Sequence, residues 1–533
     1  MKNLRALYQI ARADFLERIR RYSFLLTLGF TLYLGYLAGV GRMVLKLGEY
    51  RGIFNSAWTG SLMALVCTSF LTLVGFYIVK NTIERDRESG VGQILAATPL
   101  SNTLYCLGKA LSNFLVLATM VALLVPAGIV TQLVRGEDRH IHLWALLSPF
   151  VVLALPAMAF VAALAVLFET IPGLRGGFGN VFYFFFWSLL PGISISRHST
   201  AADLWGFQAV WDSAAVVARE QTTDYKRDFG MSFNIGGSQL PPVSHAFRWE
   251  GVDWSSGFLL SRVIWVLAAV GLALLAAALF NRFDPARGWR SKKEKREAAI
   301  GTAAAPEAQE NRGAATAARV AHLTALPAAA RGKAGFGQML WAELRLMLKG
   351  QKWWWYAVAL GLFIASLATP LAVSRGKLLA FAWIWPILIW SSIGTREKRF
   401  QTNQLVFSAA HSIRHQLPAM WLAGVMVAMA AGGGTAIRLL FAGEGQALLG
   451  WLVGAMFIPT MALACGAWSG SSKLFEILYT VIWYAGPMQP TPQLDFMATS
   501  PKTIEMAMPR IFLLITLALV FLAMIARRRQ LQT

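Results

Sequence analysis

Residues 81–101 read NTIERDRESGVGQILAATPLS. Five consecutive ionisable side chains, Glu84, Arg85, Asp86, Arg87 and Glu88, stand here between two apolar segments. Each segment reaches the length, about 20 mainly apolar residues, that a helix needs to cross a bilayer. Residues 394–412, GTREKRFQTNQLVFSAAHS, repeat the arrangement with Arg396, Glu397, Lys398 and Arg399 between their own apolar neighbours. One charged helix between two spans, once in each half, sets the frame for the rest of the chain.

The composition agrees with that frame. Apolar residues make up 56% and charged residues 14% of the chain, against about 45–50% and about 25% in soluble globular domains. With repeated apolar runs, this predicts an all-α polytopic membrane protein. The net charge of +22 is of the kind that binds nucleic acid, but the Lys and Arg cluster beside span ends and in one linker, where membrane topology places them. No nucleic-acid partner is expected; membrane lipids are. Cys67, Cys106 and Cys465 lie in or beside apolar segments and offer neither a disulfide framework nor a metal-binding spacing. The first apolar run follows some twenty charged and mixed residues without a small-residue cleavage site, so no cleavable signal is expected.

Hydropathy places the first-half spans at roughly 22–40, 57–79, 103–133, 143–168, 176–195 and 257–280, and the second-half spans at roughly 353–373, 378–394, 417–437, 447–468, 474–488 and 510–526. About twelve crossings result. An amphipathic helix opens each half. Over residues 3–20, Leu4, Leu7, Tyr8, Ala11, Phe15 and Ile19 share a face and Arg5, Arg12, Glu17 and Arg18 occupy the remainder. Phe336, Met339, Leu340, Leu344 and Met347 mark the second. Such helices lie in the interface plane.

Arg18, Arg20 and Arg21 before the first span, Lys80, Arg85 and Arg87 after the second, and Arg527–Arg529 after the last place both termini in the cytoplasm. Residues 41–56 and 196–256 are then outer segments. The longer is rich in Trp, Gly and Pro and reads either as a packed loop with interfacial aromatics or as a small ordered lobe. Residues 281–334 begin basic and become Ala-rich and low in complexity, a composition that buries no core, so a flexible cytoplasmic linker is expected. The domains read as 1–280, the linker 281–334, and 335–533.

The halves can be superposed as sequences. Arg396 lies 311 positions after Arg85 (396 − 85), and Glu397 follows Asp86, Gln404 follows Gln93 and Ser412 follows Ser101 at the same offset. Pro156-Ala157-Met158-Ala159 resembles Pro459-Thr460-Met461-Ala462. Identity is low, but the order of events is shared: interfacial helix, two spans, charged helix, four spans. An even number of spans per half makes the repeat parallel.

The segment ERDRESGVGQILAATPLSNTLYCLGK resembles the helix after the second span of permeases of the type-2 ABC exporter family, through Glu84, Arg85, Glu88, Gly90, Leu95, Pro99, Ser101, Gly108 and Lys109. The resemblance covers nearly all of residues 1–280 and, more weakly, 335–530, where Ala410 stands for the proline and Met420 for the lysine. It implies an ABC transporter permease of a prokaryotic inner membrane, with two six-helix halves fused in one chain and a substrate path between them. A separate ABC-type ATPase subunit, in two copies, would carry the ATP and Mg. Glu84, Arg85, Asp86, Arg87 and Glu88, with Arg396, Glu397, Lys398 and Arg399, would form the coupling helices that receive the ATPase's motion.

No Gly-x-x-x-x-Gly-Lys-Ser/Thr loop occurs, so no nucleotide is expected on this chain itself. His140, His142, His411 and His415 lack the companion ligands of a metal site, and no paired-carboxylate or nucleophile–His arrangement marks an enzyme. Catalytic, cofactor and metal residues are read as none. Two other readings stand beside the exporter: a twelve-helix secondary transporter of the major facilitator type, and a non-transporting membrane scaffold. Ion-coupled carriers keep ionisable groups at mid-membrane; here the charges stop at span ends, with Glu169 and Lys109 at the edge. The apolar pathway names no substrate.

Overall fold

A computed structural model describes residues 2–39, 43–47, 50–197, 203–221, 231–235, 246–283, 336–349, 351, 353–399, 402, 412–489 and 491–532. Helices dominate, and seven are long and apolar enough to cross a membrane: Ser56–Glu88, Asn102–Val134, Leu143–Thr170, Ser256–Leu279, His415–Phe441, Gly445–Ser469 and Met508–Gln530. Three shorter apolar helices, Phe24–Ala38, Gly177–Leu190 and Trp353–Ala368, accompany them. This is the make-up of a helical membrane protein: within a bilayer a helix satisfies its own backbone hydrogen bonds. The chain divides into two units, Met1–Arg290 and Ser291–Thr533. Of the linker expected over 281–334, residues 284 onward lie outside the described residues.

The first unit begins with α1 (Lys2–Ile19) and α2 (Tyr22–Gly39). Next comes α3 (Ser56–Phe70), which continues through a π turn (Leu71–Gly75) and a last helical turn (Phe76–Val79). The charged helix α4 (Thr82–Glu88) and its sequel α5 (Val91–Ala97) follow, then α6 (Asn102–Arg135). The helix α7 runs Leu143–Pro149 and Leu155–Thr170 through a π turn at Phe150–Ala154; α8 (Gly177–Arg197), α9 (Phe207–Gln221) and α10 (Ser256–Leu279) complete the unit. Side-chain oxygens of Asn55, Ser101 and Ser255 accept backbone N–H groups at the starts of α3, α6 and α10, as helix N-termini require. Helices α3 and α7 form the buried centre. At Gly60 a Cβ would stand 2.6 Å from the Leu146 carbonyl oxygen, so only glycine lets these two backbones meet.

At the end of the bundle away from α4, four short strands depart from a purely helical reading. Strand β1 (Met43–Leu47) pairs antiparallel with β3 (Met231–Ile235), and β2 (Arg51–Gly52) pairs parallel with β4 (Ala246–Phe247). The described parts of the segments expected separately at 41–56 and 196–256 are thus joined to each other. Buried Arg51 donates from Nη1 and Nη2 to both carboxylate oxygens of Glu137, at 2.9 and 2.6 Å, and Glu137 also accepts Phe54 N–H at 3.0 Å. These bonds hold the Glu137 carboxyl below its usual range. Trp58 meets Phe247 and Trp249 edge-on, each at 5.8 Å between ring centroids. Asp203 accepts the N–H groups of Gly206, Gln208 and Ala209 at the start of α9. The glycines and prolines at Gly236, Gly237, Pro241 and Pro242 lie outside the described residues.

The second unit has a helix series of its own. It runs α11 (Phe336–Leu348), α12 (Trp353–Ala368), α13 (Leu371–Val373, a π turn at Ser374–Leu378, then Leu379–Ile384 and Ile387–Trp390) and the charged turn α14 (Arg396–Arg399). It continues with α15 (Ser412–Phe441), α16 (Gly445–Ser469), α17 (Ser472–Trp483 with a π turn at Tyr484–Met488), α18 (Pro501–Glu505) and α19 (Met508–Gln532). In the stretch expected as a crossing at 378–394, the helix starts earlier, at Leu371. Arg375 is buried there because its Nε donates to the Ala498 carbonyl at 2.7 Å and its Nη1 to Glu444 at 3.0 Å. Pro386, which has no N–H, interrupts α13. In α15 a Cβ on Gly434 would stand 2.6 Å from the Phe363 carbonyl oxygen, and Trp383 and Trp390 donate their indole N–H groups to the carbonyls of Ala428 and Gly424.

In the aromatic run 182–187, Tyr183 and Phe184 are buried. The Tyr183 ring stacks on Phe76 at 3.6 Å, its hydroxyl donates to the Thr72 carbonyl in the π turn of α3, and Trp187 Nε1 donates to Thr72 Oγ1 at 3.0 Å.

Candidate functional site at the charged helices

The turn into α4 is made by Asn81, at φ 84°, a left-handed conformation that asparagine tolerates better than most residues with a side chain. A helix that starts so abruptly leaves its first N–H groups without partners. One carboxylate takes four of the amides here. Glu169, at the end of α7, accepts Asn81 N and Thr82 N on Oε1 at 2.6 and 2.9 Å, and Ile83 N and Glu84 N on Oε2 at 2.6 and 3.0 Å. Its side chain is 1% exposed. A negative charge there also matches the positive end of the helix dipole. Arg18 of α1 donates to the Thr82 hydroxyl; burial pushes its guanidinium down to about 10, against the pull of Asp14.

One turn later Asp86 points into the bundle. Its Oδ2 receives Lys109 Nζ at 2.7 Å and the Tyr105 hydroxyl at 2.7 Å, both from α6. Lys109 also reaches Asp14 of α1 at 2.9 Å, and Arg85 contacts Asp14 at 3.5 Å and Glu17 at 3.3 Å. Buried Asp14, Asp86 and Glu169 stand against buried Arg18 and Lys109 and half-buried Arg85. Arg87 pairs with Glu84 at 2.7 Å, and Arg175 approaches Glu84 at 3.7 Å. Of the five residues singled out, Glu88 is exposed while the other four bind within the unit.

Gly90, at φ 77°, breaks the chain between α4 and α5. Gly92 then rests against the Phe283 ring, where a Cβ would stand 2.6 Å away. Outward-facing on this segment are Glu88, Val91, Gln93, Ile94, Ala97 and Pro99.

The second unit holds α14 in the same manner with other residues. Gly394, at φ 74°, makes the turn. Arg396 pairs with Glu343 of α11 at 3.2 Å and donates to Ser392 Oγ. Burial raises the Glu343 carboxyl and lowers the Arg396 guanidinium, each opposed by the other's charge. Glu397 is buried; its Oε1 accepts Arg527 Nη2 of α19 at 2.9 Å and Gln416 Nε2 at 3.0 Å. Lys398 is exposed. Arg399 closes the helix, and its side chain lies outside the described residues, as do Gln404 and Ala410.

Two expectations change. Arg18, expected on the polar face of α1, is buried with Ala11 and Asp14, whereas Leu4 and Tyr8 are exposed. The face of α1 against the bundle is therefore partly ionic, because α4 and α6 offer it partners. Arg527, expected only as a topological charge, is a buried partner of Glu397. Asp14, Tyr105 and Gln416 were not anticipated at all. The spacing of Leu7, Ala11, Asp14 and Arg18 by three or four residues was the available signal.

Comparison with known proteins finds no match. No family model, curated protein or solved structure matches the chain.

Proposed function

We propose that this chain is the membrane permease of a type-2 ABC exporter, made of two parallel six-span halves and driven by a separate ATPase that binds at the charged helices. One observation carries the reading: the segment from Thr82 to Ala97 is fastened to three elements while its tip is open. Glu169 ties it to α7, Asp86 to α6 through Lys109 and Tyr105, and Arg85 to α1 through Asp14. A push on Glu88, Gln93 or Ile94 is then shared by the interfacial helix and two spans as a body. A solvated loop whose charges only set topology has no need of such anchorage.

The repeat is supported by ion pairs more than by identity. Each charged helix sends its first arginine to the preceding interfacial helix (Arg85 to Asp14, Arg396 to Glu343) and its next carboxylate to a buried cation. At the far end of each second span a buried arginine meets a glutamate between the third and fourth spans (Arg51 to Glu137, Arg375 to Glu444). Under this reading both termini and both charged helices face the cytoplasm of a prokaryotic inner membrane. ATP and Mg bind the partner.

The test is co-purification of the tagged chain in mild detergent, with Glu88→Arg and Ile94→Glu as variants on the open tip. A phosphate-loop ATPase in about two copies, lost at least tenfold in the variants while the variants still fold, is the expected result. A chain that purifies alone and moves solute under an ion gradient without ATP overturns the proposal in favour of a secondary carrier.

A further inference from the structure

Met420 lies 311 positions after Lys109 (420 − 109), the offset that also relates Arg396 to Arg85 and Glu397 to Asp86. On sequence alone the second unit therefore loses the cation that its buried carboxylate needs. The structure supplies it from elsewhere. Arg527 Nη2 lies 2.9 Å from Glu397 Oε1 and 3.7 Å from the sulfur of Met420. The guanidinium thus sits above the methionine that occupies the lysine's place. Met420 and Arg527 are 1% and 2% exposed.

We infer that Arg527 is the positioning residue of the second charged helix, the counterpart of Lys109, with the cation moved from the third span of the unit to its last helix. In the first unit the cation on the charged helix's carboxylate comes from α6; in the second it comes from α19, with Gln416 of α15 as a neutral second donor. A displacement of α14 is accordingly passed by charge to α19, whereas a displacement of α4 is passed by charge to α6. The two halves would answer the same push with different helices. The inference rests on the correspondence of the units proposed above and not on the identity of the partner, so its test needs no ATPase.

The geometry permits the charge to be moved back. Lysine and methionine side chains share their first atoms, and the lysine nitrogen lies two bonds beyond the position of the methionine sulfur. From position 420 it comes within reach of the place Arg527 Nη2 now occupies, beside Glu397. Removing one member of a buried pair leaves the other charge uncompensated; two cations around one carboxylate repel.

The experiment compares Arg527→Met, Met420→Lys and the double variant in the full-length purified chain, reading the thermal midpoint and the hydrogen exchange of the amides at 396–399. Each single variant is expected to lower the midpoint, and Arg527→Met to speed exchange at 396–399 by at least tenfold. The double variant is expected to restore both to near wild type. The restored exchange at the charged helix separates positioning from general packing. The inference is overturned if Arg527→Met melts and exchanges as the wild type does. It is also overturned if the double variant behaves as the sum of the singles or fails to accumulate.

Discussion

Replacing Glu169 with glutamine is the sharpest perturbation of the first charged helix, because it keeps the shape of the side chain and removes half of its acceptors. The carboxylate serves four N–H groups, two per oxygen. An amide keeps one carbonyl oxygen for one pair and turns an NH2 toward the other, so donor faces donor. Two backbone amides, one buried and one half-buried, lose their acceptor. At about 1–3 kcal/mol for each unsatisfied group, the helix start is weakened by about 3 kcal/mol. With 1.36 kcal/mol for each factor of ten, protection of the amides at 81–84 should fall by about 10²-fold. Fragment-resolved hydrogen exchange of the chain in nanodiscs reads this directly. Exchange at 81–84 within tenfold of wild type would refute the cap. A loss spread evenly over α3, α6 and α7 would make Glu169 a general packing residue instead.

Lys109→Met should uncover two buried carboxylates, Asp86 and Asp14, and destabilise the first unit by about 3–5 kcal/mol; a thermal midpoint equal to that of the wild type would contradict the pairing. The Arg51–Glu137 clamp gives a pH signature at the opposite end. Since Glu137 titrates below its reference value of 4.5 in the folded chain, its stabilisation is fully present above pH about 4.5 and fades as pH falls through the lowered folded value. Exchange at Phe54 should therefore accelerate in acid, and Arg51→Met should move that transition upward toward 4.5; a transition that stays in place would refute the clamp.

The helices were legible because their signal is long and local. Apolar runs bounded by charge marked the long helices, with ends differing by a few residues. The charged stretches were legible as places but not as structures. Asp14, Arg18 and Lys109 interrupt apolar surfaces near helix ends, where a positive residue that sets topology and one that enters a buried pair look alike in sequence. Only the partner distinguishes them, and Asp14 meets Arg85 across 71 residues. The strand pairing was beyond reach for a related reason. Met43 pairs with Ile235, and neither segment carries a mark of the other. Arg527 was hidden as the partner of Glu397 because the proposed correspondence of the halves puts Met420 where the first unit has Lys109.

The different origins of the two core cations also bear on how the chain is made. In the first unit Asp14, Asp86, Lys109 and Glu169 are all in place once α7 has been synthesised, so that network closes early, in step with the N-terminal-first folding usual during translation. In the second, Glu397 is synthesised long before its counter-charge exists and waits for α19. Nascent chains should therefore pass a long interval with one half electrostatically complete and the other exposing a lone carboxylate. That interval is when a membrane chaperone or protease would find its target. Chains stalled before Arg527 should be cleared far faster than chains released just after it.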